Sequence, residues 1–315
     1  MRYPDIEPYD HGMLAVGDGN LVYWEVCGNP VGKPALVLHG GPGTGCSANS
    51  RRYFDPEKYR VVLFDQRGCG RSTPNAGDPA VDLSVNTTQH QVADIESLRE
   101  FLGIERWLVY GGSWGCVLGL HYAERFPHRV SEIVMMGIAT GQRAEVDLLI
   151  NGLGRIFPEA WQRFRAGVPA EYRDGNLATA YAKLLAHPDP AVHRKAADDW
   201  CAWEDAIVPT APPRKSTETT AWRMTFARLV THYFGNDHFL PDGVVLAEAN
   251  RLAGIPGVLV QGALDFGNLL GTPWELASRW PSARLRLIDD TGHDMGGGMR
   301  AALVDATDRF AVGGW

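Results

Sequence analysis

Trp107 to Tyr110, a short apolar run, passes straight into Gly111-Gly112-Ser113-Trp114-Gly115 and then into an apolar helical stretch, Cys116 to Phe126. Few folds accept that order. The pattern G-x-S-x-G between a strand and a helix describes a sharp turn that lifts one serine side chain clear of a sheet. The serine backbone is strained there, so the positions two before and two after must be tiny to avoid neighbouring elements. Gly111 and Gly115 meet that demand. With 36 glycines in the chain a bare match carries little weight, and the strand and helix on either side give it meaning.

The rest of the chain supplies a sheet for this turn. Met13 to Val16 and Leu21 to Val26 flank the turn-rich Gly17-Asp18-Gly19-Asn20 and read as an antiparallel hairpin at an edge. Ala35 to Leu38, Arg60 to Phe64, Trp107 to Tyr110 and Glu132 to Met136 are apolar without alternation, as strands covered on both faces are. Between two of them Thr87 to Leu102 places Val92, Ile95, Leu98, Phe101 and Leu102 on one helical stripe, stopped by Gly103. The unit recurs late in the chain: strand Val258 to Gln261, a helix opened by Thr272-Pro273-Trp274-Glu275 as a capping box, and strand Arg284 to Ile288.

From Gly141 to Ile255 no strand is convincing, and helices rich in Trp, Ala and Arg are broken by prolines at 158, 169, 188, 190, 209, 212 and 213. The expectation is an α/β protein with a mostly parallel sheet flanked by helices. Residues 1–140 and 256–315 form its core domain, and 141–255 form an inserted helical cap above the site.

The charge balance narrows the partners. Thirty Lys plus Arg against 37 Asp plus Glu leave a formal charge of -7, with no basic run to follow a phosphate backbone, so nucleic acid is not expected. The start, MRYPDIEPYD, has no apolar signal region and no later stretch is long enough for a membrane span, which predicts a cytoplasmic protein without a membrane partner. Cys27, Cys46, Cys69, Cys116 and Cys201 are scattered and odd in number, so neither a disulfide framework nor a metal site is expected. Cys69 and Cys116 read as small residues filling tight space. No cofactor is implied, and nothing fixes the oligomeric state beyond monomer or weak dimer.

A serine hydroxyl is a weak nucleophile and needs a base that a carboxylate orients, and on this kind of scaffold the order along the chain is Ser, acid, His. Only His293, in Thr291-Gly292-His293, follows the strand Val258 to Gln261. Asp265 stands just past the end of that strand and is the preferred acid; Asp289, Asp290 and Asp294 are alternatives nearer His293 in sequence. The oxyanion of an acyl-transfer intermediate needs two donors, assigned to the N–H groups of Trp114 and Gly41. Gly41 belongs to His39-Gly40-Gly41-Pro42-Gly43, whose Gly40 also lets the backbone approach substrate. His39 reads as structural.

HGGPG from His39, DQRGCGRS from Asp65 and GGSWG from Gly111 together resemble the proline iminopeptidase family of α/β-hydrolases. Trp200-Cys201-Ala202-Trp203-Glu204 resembles that family's W-x-x-W-E. The resemblance implies a metal-free serine aminopeptidase acting on a small molecule or short peptide with a free N-terminal amine. It also implies that Glu204, with Trp203 beside it, holds the α-ammonium. One departure stands out. The family's second glutamate, in E-N-H-Y-F, is Val230 here, which implies a weaker hold on the amine and a more apolar pocket.

Three functions follow as expectations. The first is removal of an N-terminal proline or small residue such as alanine. The second is a specialised amidase that frees a hydrophobic non-peptide amine in antibiotic (macrolactam) biosynthesis, with Trp161, Trp200, Trp203 and Trp222 lining an apolar channel. The third is a binding protein on a silent hydrolase scaffold.

Overall fold

The computed structural model describes residues 2–210, 219–268, 271–294 and 296–314. All eight apolar runs form strands: β1 (Asp10–Ala15), β2 (Leu21–Gly28), β3 (Lys33–Leu38), β4 (Tyr59–Phe64), β5 (Trp107–Ser113), β6 (Val130–Ile138), β7 (Gly257–Gly262) and β8 (Ala283–Ile288). They make one sheet in the order β1-β2-β4-β3-β5-β6-β7-β8. The first two strands pair antiparallel, β2 joins β4 antiparallel, and every later pairing is parallel. β3, β5 and β7 lack alternation because both faces are covered, whereas β1 at the edge alternates.

The helices are α1 (Ala48–Arg51), α2 (Thr88–Phe101), α3 (Trp114–Arg125), α4 (Arg143–Ile150), α5 (Pro158–Ala166) and α6 (Leu177–Leu185). They continue as α7 (Pro190–Ala206), α8 (Thr220–Phe234), α9 (Val244–Glu248), α10 (Gly271–Arg279) and α11 (Gly297–Ala311). Thr87 caps α2 through its side chain, and Val92, Ile95 and Leu98 are buried as the stripe requires. Phe101 departs from it: it stays 55% exposed and packs edge-on against Trp24 at the sheet rim. α10 starts at Gly271, so Thr272 lies inside the first turn rather than capping it, and Pro273 occupies that turn, where its missing N–H costs nothing.

One face of the sheet packs with α2, α3 and α10 around Ile95, Val117, Leu120 and Leu276. The other packs with α11 through Met299, Leu303 and Phe310. Between neighbouring strands β6 and β7 the chain leaves the sheet and builds a separate cluster from α4 to α8. Phe164 is its centre, stacked on Tyr181 at 4.8 Å and on Trp203 at 5.3 Å between ring centroids, with Trp200 edge-on. Pro158 and Pro190 sit in first helical turns, and Pro212 and Pro213 lie outside the described residues. Leu240, Val245, Leu246, Ala249, Leu252 and Ile255, which follow α8 in the chain, pack with the sheet core.

α8 ties this cap to the core. Arg228 donates to the carbonyls of Ala76, Asp78, Pro79 and Val81, and Leu229 lies so close to Gly43 that a Cβ there would meet it at 2.9 Å. No helix among the described residues is long and apolar enough to cross a membrane. The five cysteines form no disulfide.

Candidate active site

Ser113 closes β5 and opens α3 with φ 55° and ψ −121°. Such a conformation costs a non-glycine residue about 1–3 kcal/mol and persists only where the surroundings enforce it. The enforcing contacts are visible. A Cβ on Gly111 would lie 2.5 Å from the Gly115 carbonyl, and one on Gly115 would lie 2.4 Å from the Leu38 carbonyl. Backbone on backbone leaves no soft partner to move, so Gly115→Ala is expected to destabilise the fold by about 1–3 kcal/mol. Thermal unfolding beside the parent checks this, and an unchanged midpoint would contradict the steric reading.

Asp265 follows β7 and is 4% exposed. Its Oδ2 accepts from His293 Nδ1 at 2.8 Å, and also from Gln261 Nε2 at 3.0 Å and Asn268 Nδ2 at 3.3 Å; Oδ1 accepts from Gly267 N at 3.1 Å. Burial works against its ionisation, yet the His293 charge and these donors outweigh it and hold the carboxyl below the usual range. Asp265 in turn pushes the His293 imidazole up to about 9, against desolvation and with a smaller contribution from Glu204. Two of the alternative acids are engaged elsewhere: Asp290 accepts from the Thr291 hydroxyl and Asp294 from Gly292 N.

Gln261 and Asn268 belong to no motif that marks them in the sequence. Gln261 uses its carbonyl to receive Ile138 N at 2.7 Å, which turns its amide N–H₂ toward Asp265. A lone amide at the end of the apolar run Val258 to Val260 was the available signal, because a buried amide must find partners.

The imidazole and Ser113 line one cavity of about 610 Å³ at the carboxyl edge of the sheet, roofed by Glu204, Trp222 and Phe226 from the cap. Gly40 and Gly41 form its side. A Cβ on Gly40 would come within 3.5 Å of the Ser113 Cβ, which shows how near this loop runs to the hydroxyl. Among the described residues Ser113 and His293 share the lining of this cavity without a hydrogen bond between them. A second recess of about 40 Å³ touches Ser113, Gly41 and Trp114 and is walled by Val146, Leu149 and Phe234. His39 braces the loop from beneath, its Nε2 accepting from Gln66 N at 3.1 Å.

Two expected substrate contacts do not reach the cavity. Trp203 is 2% exposed and donates its indole N–H to the Leu149 carbonyl, and Val230 is fully buried in the cap cluster. The helical period explains both. On α7 the face bearing Trp200 and Trp203 turns to the cap core, while Glu204, about 100° further round, faces the cavity. On α8 Val230 lies one turn past Phe226 and one turn before Phe234, between the main cavity and the smaller recess, and lines neither. Of the four cap tryptophans only Trp222 is among the described lining residues; Trp161 and Trp200 pack with the cap core.

Among the described residues no group of three or more His, Cys, Asp or Glu is arranged to hold a metal ion. Residues 33–296 match the family described as alpha/beta hydrolase fold. A probable proline iminopeptidase of Streptomyces coelicolor is 59% identical over 99% of this chain and 98% of its own length. A proline iminopeptidase of Xylella fastidiosa is 44% identical, over 98% of each. The crystal structure of a Mycobacterium smegmatis proline iminopeptidase shares the fold, with a TM-score of 0.61 at 22% identity over 96% of this chain and 99% of that one. With a strained serine turn, a buried aspartate–histidine pair and a roofed cavity already in view, full-length identity of this order decides the matter: the chain belongs to the proline iminopeptidase family of α/β-hydrolases.

Proposed function

We propose that the protein is a serine aminopeptidase that cleaves the amide bond after an N-terminal proline through an acyl-enzyme. One observation carries the reading: Ser113, a histidine held by a buried carboxylate, and the cap carboxylate Glu204 all face a single cavity. Ser113 Oγ attacks the scissile carbonyl while His293 Nε2 takes its proton. The N–H groups of Gly41 and Trp114 receive the oxyanion, and His293 then protonates the departing amine and activates water. The small recess beside Ser113, about 40 Å³, suits a compact ring better than a long side chain.

Glu204 gives the selectivity for a free terminus. It is the one carboxylate among the described residues lining the main cavity, and a desolvated ammonium needs a paired anion. With Val230 buried in the cap, Glu204 is the carboxylate among the described residues of the main cavity that can receive the amine. Glu204→Gln is expected to lower kcat/KM for prolyl arylamides by about ten- to a hundredfold, the usual value of a hydrogen bond to a charged group. The activated ester of N-acetylproline, which has no ammonium, should lose far less. Equal loss on both substrates would remove Glu204 from this role.

The amidase reading for a hydrophobic non-peptide amine is not supported: the relatives are proline iminopeptidases, and the tryptophans that were to line its channel are mostly cap core.

A further inference from the structure

The main cavity does not stop at the sheet edge. Beyond Ser113 it descends into the α11 face, where Val37, Tyr110, Met136 and Met299 form its floor and Ser50 and Ser47 stand at its rim. Val37 and Tyr110 are only 2% exposed and belong to the core layer beneath α11, so the cavity reaches into that layer as an arm. From this arm we infer a binding pocket for the residue that follows the scissile bond, selective for an apolar side chain such as leucine. The inference rests on the aminopeptidase reading above and adds the leaving group to it.

The chemistry fixes which part of the substrate points there. His293 must deliver a proton to the departing nitrogen, so the leaving amine lies on the imidazole's side of Ser113. The His293 ring packs against Gly137, where a Cβ would meet Cε1 at 3.1 Å. The next residue back along β6 is Met136, whose methyl lies 2.8 Å from where a Gly112 Cβ would stand, beside the nucleophile. Met136 therefore bridges the reacting centre and the arm, and the Tyr110 hydroxyl holds its sulfur at 3.7 Å. The acyl side is taken by the small recess on the Gly41 and Trp114 side and by Glu204 on the cap. Two methionines make a soft apolar floor that adapts to branched side chains. No carboxylate, lysine or arginine is among the described residues of the floor, so a charged side chain would be buried there without a partner.

The test uses the full-length protein and measures kcat/KM by proline release from Pro-Gly, Pro-Leu and Pro-Asp. Pro-Leu is expected to exceed Pro-Gly by about tenfold or more, as burial of one leucine side chain provides, and Pro-Asp to fall below both. Ser50→Trp, which fills the rim of the arm, should bring the Leu-to-Gly ratio down to within about threefold, whereas Ser50→Ala should keep it. Pro-Leu within twofold of Pro-Gly in the parent, or an unchanged ratio in Ser50→Trp with parental circular dichroism, would overturn the inference while leaving proline release intact. Hydrolysis of none of the three would sink the aminopeptidase reading and this one with it.

Discussion

Ser113→Ala is expected to lower kcat on a prolyl arylamide by on the order of a million-fold, the scale of loss when a serine triad is deprived of its nucleophile. The turn itself should survive. Alanine adds nothing to the crowding around position 113, and the strained φ is imposed by β5, α3 and the two flanking glycines rather than by the hydroxyl. Circular dichroism and thermal unfolding should therefore match the parent, which separates chemistry from folding. A fluorophosphonate should label the parent at Ser113 and leave the variant unmodified. A rate within tenfold of the parent would mean another group attacks the carbonyl, and a parent that refuses the label would favour a silent scaffold.

The parts of this site that were legible in the sequence are those that backbone geometry dictates. Gly111 and Gly115 had to be small for the turn to form, and the contacts at 2.5 and 2.4 Å show why no other residue fits. Asp265 could be preferred over Asp289, Asp290 and Asp294 because a residue just past a strand end reaches across the sheet edge, whereas Asp290 and Asp294 meet a hydroxyl and a backbone N–H of the His293 loop itself. What stayed hidden depends on how helices rotate and dock. Trp203 and Glu204 are neighbours in sequence, yet one turns into the cap core and the other into the cavity, and only the packing of α7 against α8 decides which. A motif position places Val230 at the substrate, yet it lies between Phe226 and Phe234, the α8 residues that line the cavity and the recess, and packs into the cap cluster instead. Phe101 fits its stripe by period but is the last residue of α2 and stays 55% exposed, with Trp24 edge-on to its ring.

The same dependence on docking explains why the cap's hold on the core matters to chemistry. Arg228 meets carbonyls from four residues of the loop after β4, and Leu229 presses on Gly43 in the loop that carries Gly41. A single helix thus sets both the roof, through Trp222 and Phe226, and the position of a proposed oxyanion donor. Damage to α8 should for that reason appear in kcat as well as in KM.

Asp265→Asn should lower kcat about ten-thousandfold, because the amide can present its N–H₂ to Nδ1 and force the proton onto Nε2, where the base must be free. The pH profile distinguishes this from a folding defect. In the parent, Asp265 raises the imidazole to about 9, so in the free enzyme the neutral base accumulates only as pH climbs, and kcat/KM should rise along a limb well above the ordinary 6.5. Glu204 adds to that upward pull, and a bound substrate ammonium cancels it. The limb for kcat, which reports the complex, should therefore sit at lower pH than the limb for kcat/KM. Removing the Asp265 charge should bring the imidazole back toward 6.5 and shift the residual profile down with it. Stability follows the same sign. A histidine raised in the folded state lends its full stabilisation below about 6.5 and loses it as pH rises toward about 9, so the parent should weaken over that window and Asp265→Asn should not. Profiles of parent and variant that rise at the same pH would show that Asp265 does not set the charge on His293, whatever the distance between them.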